Sequence, residues 1–86
     1  MKRKTYLVQS AIGQTATRHT ANAATLAGKA MVRDYAEALG LSGAWALVEH
    51  GKETAPGDAY LTTHTWRVWR HEATGRSMRI VANLVS

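Results

Sequence analysis

The chain changes its hydrophobic period twice. Residues 4 to 12 alternate, with Tyr6, Val8, Ser10 and Ile12 pointing one way and Thr5, Leu7, Gln9 and Ala11 the other. That period of two predicts a strand. Neither set is wholly apolar, so the pattern does not say which face is buried. Gly13-Gln14 is a turn candidate. Thr15 to Ala21 mixes polar and small apolar residues and reads as a weak second strand or an irregular loop, with a slight lean to the strand.

Residues 24 to 39 switch to a helical period. At 100° per residue Ala24, Ala27, Met31, Val32, Tyr35, Ala38 and Leu39 share one stripe with Gly28, while Lys29, Arg33 and Glu37 lie opposite. This is the pattern of a surface helix packed on a core. Asn22 is the expected N-cap, since its side chain can accept a bond from a free backbone N–H. Gly40 stands where a left-handed residue ends a helix, and Leu41 can fold back on the last turn.

The second half reads as β. Ala44 to His50 is one strand, His50 to Asp58 a loop with Gly51, Pro56 and Gly57, and Ala59 to Glu72 a long strand. Ala73-Thr74-Gly75 is a turn, and Ser77 to Val85 the last strand. A three-residue loop ending in Gly is a common hairpin connection. It sets Glu72 opposite Arg76, and therefore Val68 opposite Ile80, Trp66 opposite Ala82 and His64 opposite Leu84. That face is mostly apolar and is expected to meet the helix. The other face then carries Thr65, Arg67, Trp69 and His71 beside Arg79, Val81 and Asn83. A one-residue slip would exchange the faces.

The expected architecture is α+β: one amphipathic helix on one face of an antiparallel sheet of three to five strands, in the order β-α-β-β-β with a further weak strand before the helix. All 86 residues form one compact domain on this reading. A helix on one side leaves the second sheet face uncovered unless an oligomer covers it.

Composition narrows the chemistry. There are no cysteines, which excludes disulfides, thiolate metal sites and a cysteine nucleophile. No segment approaches the ~20 apolar residues of a membrane helix. The opening Met1-Lys2-Arg3-Lys4 leads into an alternating stretch instead of the apolar core of a signal peptide, so a cytoplasmic location is expected. Net charge is +5. Residues 1 to 33 hold Lys2, Arg3, Lys4, Arg18, Lys29 and Arg33 with no acid. Residues 34 to 58 are acidic apart from Lys52, and residues 59 to 86 hold Arg67, Arg70, Arg76 and Arg79 against Glu72. Such a surface favours an anionic partner.

The sharpest cluster is Arg67, Trp69, His71 and Arg79, with Lys29 and Arg33 second. Trp among Arg side chains can stack on bases and attract phosphates, or anchor a protein interface. His19, His50, His64 and His71 show no metal-ligand spacing, and neither metal nor cofactor is expected. Glu49, His50, His64, His71 and Arg70 could supply a base and a phosphate clamp for a small ribonuclease, but no spacing fixes that geometry, and no catalytic activity is expected.

A short opening strand, Thr5-Tyr6-Leu7-Val8, leads to an Ala-rich helix with Ala23, Ala24, Ala27, Ala30, Ala36 and Ala38, and then to antiparallel strands. In this layout the chain resembles the small inhibitors that phages and mobile elements encode against bacterial CRISPR systems. The resemblance implies a non-enzymatic protein that occupies the surface of a nucleic-acid-guided effector complex. Many such inhibitors are acidic DNA mimics; a basic one would dock on an acidic effector surface or on the nucleic acid the effector holds. The alternatives are a small single-stranded nucleic-acid-binding domain using the same Trp/Arg face, and a homodimer that buries Trp69 and Val81.

Overall fold

The structure, a computed structural model, describes residues 4–56 and 61–85. The expectations for Lys2, Arg3 and residues 57–60 lie outside the described residues. Six elements follow in order: β1 (Tyr6–Ser10), β2 (Thr15–Arg18), α1 (Ala21–Leu39), β3 (Trp45–Pro56), β4 (Leu61–His71) and β5 (Ser77–Leu84). The strands form one antiparallel sheet in the order β2-β1-β5-β4-β3, with α1 on one face. The fold is α+β, and the stretch before the helix is a strand, paired with β1.

α1 packs on β1, β2 and β5. Its buried residues are Ala24, Ala27, Gly28, Met31, Val32 and Ala36, so Ala36 takes the core place expected of Ala38, while Leu39 stays 44% exposed. Val8, Met78 and Ile80 meet them from the sheet. Each such aliphatic side chain contributes ~1.5–3 kcal/mol when fully buried. Gly28 makes the approach close: a Cβ there would stand 2.8 Å from Ile80 Cγ2.

The helix ends partly as expected. Thr20, not Asn22, is the N-cap; it has extended backbone angles and its Oγ1 accepts from the Ala23 N–H at 3.1 Å. Asn22 lies inside the first turn, two residues too late to reach the free donors. At the other end Gly40 has φ +69°, and the Leu41 N–H donates to the Ala36 carbonyl at 2.8 Å, closing the last turn.

Two β expectations are corrected. The segment read as a loop at residues 50 to 58 continues β3 as far as Pro56, with Lys52, Glu53 and Thr54 paired to Thr65, His64 and Thr63. β3 is an edge strand, where charged residues and a terminal Pro are tolerated. A bulge between Leu47 and Glu49 also breaks its alternation at Val48.

The second correction is the β4–β5 register. Thr65, Arg67 and Trp69 oppose Ala82, Ile80 and Met78, while His64, Trp66 and Val68 oppose Asn83, Val81 and Arg79. The loop is one residue longer than the expected three. The His71 N–H bonds the Arg76 carbonyl at 2.7 Å, and the Glu72 N–H turns away to the Ala44 carbonyl at 3.1 Å. One extra loop residue reverses every side chain of β4 relative to the expectation.

The helix-side face of β4 therefore carries Arg67, Trp69 and His71. The opposite, open face carries Leu7 and Gln9 of β1, Arg79, Val81 and Asn83 of β5, His64, Trp66 and Val68 of β4, and Glu49, Gly51 and Glu53 of β3.

Candidate binding groove

Because α1 covers the β2-β1-β5 half of the sheet, the helix-side face of β4 and β3 lies beside the helix instead of beneath it. A groove runs between them. Its first lobe, about 340 Å³, is lined by Lys29, Val32 and Arg33 of α1 and by Trp45 and Trp69 of β3 and β4. Its second lobe, about 200 Å³, is lined by Ala21, Ala24 and Thr25 of α1, by Lys52, Thr65 and Arg67 of β3 and β4, and by Tyr6 and Ala82. Between the lobes lies a space of only about 10 Å³, where Gly28 approaches Ile80; it shares Trp69 with the first lobe and Arg67 with the second.

The local sequence explains these placements. Lys29 and Arg33 are four residues apart, one helical turn, so both project from the same side of α1. Arg67 and Trp69 are two apart on β4 and share a face. Lys29 Nζ lies 5.9 Å from the centre of the Trp69 ring, within cation–π range. Trp45 packs edge-on against Tyr35, with ring centroids 6.3 Å apart, which props it against the helix.

The groove is electrostatically one-signed. Lys29, Arg33, Lys52 and Arg67 line it, and no carboxylate is among its described lining residues. Arg33 pairs with the exposed Asp34 at 3.7 Å, which offsets part of its charge. Two half-buried indoles between four cations can stack on flat rings while holding anions at the rim.

The structure thus brings together four of the six residues singled out by sequence, Lys29, Arg33, Arg67 and Trp69, and separates the other two. Arg79 is on the open face, 5.8 Å from the Trp66 ring. His71 is 2% exposed and cannot meet a partner. Its Nδ1 is hydrogen-bonded to Thr74 Oγ1 at 2.8 Å, and its Nε2 donates to the Ser42 carbonyl at 2.7 Å. Its ring also lies tilted against Trp45, with centroids 5.1 Å apart. His71 fastens the loop after α1 to the β4–β5 turn. The expected shared surface of Arg67, Trp69, His71 and Arg79 does not exist, because the longer turn puts Arg79 on the other side of the sheet.

Sequence reasoning missed Trp45 and Lys52. Lys52 was hidden in a segment read as loop; alternation of Lys52 with Thr54 and of Gly51 with Glu53 was the available signal of a polar edge strand. Among the described residues no group of three or more His, Asp or Glu side chains is placed to hold a metal ion. No described helix is long and apolar enough to cross a membrane.

Comparison with protein-family models, with curated proteins and with solved structures finds no match to this chain.

Proposed function

We propose that this is a non-enzymatic binding protein whose groove grips a single-stranded nucleic-acid segment. The observation that carries the reading is the lining itself: four cations and two indoles, with no carboxylate among the described residues that line the groove. Base–aromatic stacking contributes ~1–3 kcal/mol per base and tolerates any sequence. Lys29 and Arg33 at one lobe, and Lys52 and Arg67 at the other, supply phosphate contacts along the strand. In the setting implied by the resemblance to phage inhibitors, the bound strand is one held by a nucleic-acid-guided effector, and occupying it is the inhibition.

A second reading has its own support. Leu47, opposite Trp69, and the bulged Val48 are 41% and 54% exposed, an apolar shoulder at one edge of the groove. That shoulder favours an acidic protein surface of the effector as the partner, with Trp69 as anchor.

The test is binding of a labelled mixed-sequence single-stranded oligonucleotide at physiological salt. The nucleic-acid reading expects binding that is lost in Trp69→Ala and in Lys29→Ala/Arg33→Ala. Absence of binding, or binding indifferent to all three substitutions, would overturn it.

A further inference from the structure

We infer that the open face of the sheet, opposite the groove, is the contact surface for a second copy of this chain. α1 covers the β2-β1-β5 half of the other face, and no described element covers this one. Its centre is apolar: Trp66 and Val68 of β4 and Val81 of β5 are each half-buried. It is also flat. The Trp66 ring lies across Gly51 of the neighbouring strand, in the space a side chain would fill. Arg70, on the same face, has its guanidinium folded beside Gly75 at the turn, clear of the centre.

The charges on this face identify the occupant. Glu49, Val68 and Arg79 stand in one row across β3, β4 and β5, and Glu53, His64 and Asn83 in another. A two-fold axis parallel to β4, lying between two such faces, carries β3 of one copy over β5 of its partner with each row kept in place. Val68 and Trp66 then meet their own counterparts. Glu49 meets Arg79 of the partner subunit, and Glu53 meets Asn83 of the partner subunit. The surface is complementary to itself, as a two-fold interface requires. Aligned sheets pack rotated by roughly 30°, which moves these near-central rows little.

The area is small. The three strands that overlap, β3, β4 and β5, spaced ~4.8 Å and with eight residues rising ~3.4 Å each, give on the order of 400 Å² per copy. The total of about 800 Å² lies below the ~1,000 Å² of a stable interface, so the dimer is a weak one that dissociates on dilution. The inference is independent of what the groove binds, since the two surfaces are on opposite sides of the sheet.

Sedimentation velocity of the nucleic-acid-free protein, from low to high micromolar concentration, tests it. The wild type is expected to pass from monomer to dimer. Glu49→Arg and Arg79→Glu, both at exposed positions, should each weaken the dimer at least ~10-fold, because each sets like charges face to face. Combining the two substitutions should restore dimerisation to within about threefold of wild type. Val68→Glu should be monomeric throughout with an unchanged far-UV circular dichroism spectrum. A wild type that stays monomeric, a dimer indifferent to the single charge reversals, or a double variant that fails to recover would each overturn the inference.

Discussion

Gly51 and Trp66 are cross-strand partners, and the indole of one occupies the space where the other would carry a side chain. A Cβ at position 51 would overlap the ring. Trp66 thereby covers a glycine that would otherwise weaken an edge strand, and the ring is held down on the sheet between His64, 5.6 Å away, and Arg79.

Gly51→Ala should therefore lower stability by ~1 kcal/mol, although removing a strand glycine ordinarily raises it by ~0.5–1 kcal/mol. The displaced indole should gain solvent contact. Urea unfolding gives the sign, and a red shift in tryptophan emission reports the displacement.

The same reversal is expected at the helix. Gly28→Ala in an unobstructed helix would gain ~1 kcal/mol. Here the new methyl meets the β-branch of Ile80 at 2.8 Å, so α1 must lift from β5. A loss of ~1–3 kcal/mol is expected by thermal or chemical denaturation. A more stable variant would show that the helix rides higher above the sheet.

His71→Phe keeps the ring volume and the contact with Trp45 but removes the bonds to the Ser42 carbonyl and the Thr74 hydroxyl. Both residues are exposed to water, and Thr74 Oγ1 still accepts from the Arg76 N–H, so the expected loss in chemical denaturation is the net worth of two hydrogen bonds, ~1–3 kcal/mol. Hydrogen exchange should rise together in the loop after α1 and the β4–β5 turn, two places 29 residues apart joined by one ring.

Binding in the groove should be salt-dependent, with log affinity falling by about 0.7 per phosphate neutralised for each tenfold rise in salt. Lys29→Ala/Arg33→Ala should reduce the slope by about 1.4. Arg79→Ala should leave affinity and slope unchanged at concentrations where the protein is monomeric, because Arg79 is across the sheet from the groove. Fluorescence anisotropy over a salt series measures both.

The helix was legible in the sequence because its signals are local. The stripe of Ala24, Ala27, Met31 and Val32 and the Gly40 stop all lie within one element. The cap was misplaced because Thr20 and Asn22 are both good caps and lie two residues apart. The strands were legible as strands apart from the second half of β3, which read as a loop, and their order was not. Which face of β4 meets the helix depends on one residue in the turn, and that residue is decided by distant partners. Ala44 captures the Glu72 N–H, and Ser42 anchors the His71 ring. Four of the residues singled out from the sequence nevertheless line one groove. Lys29 and Arg33 follow from helical spacing alone. Arg67 and Trp69 share a face in any register, while their separation from Arg79 depends on the register that the turn sets.

The strand order has a consequence for how the chain reaches this state. β1 and β5 are adjacent at the centre, with Tyr6 beside Leu84 and the Val85 N–H bonded to the Thr5 carbonyl at 2.9 Å. That seam is the only join between the β1–β2 hairpin and the rest of the described sheet, and β5 also supplies Met78 and Ile80 to the helix. Until residues 77–85 have left the ribosome, α1 has half a floor and β4 lacks its inner neighbour. Closing a loop this long must precede most of the stabilising contacts, so folding should be slow for the size and all-or-none. A ribosome-stalled chain ending before residue 77 should remain protease-sensitive along its whole length.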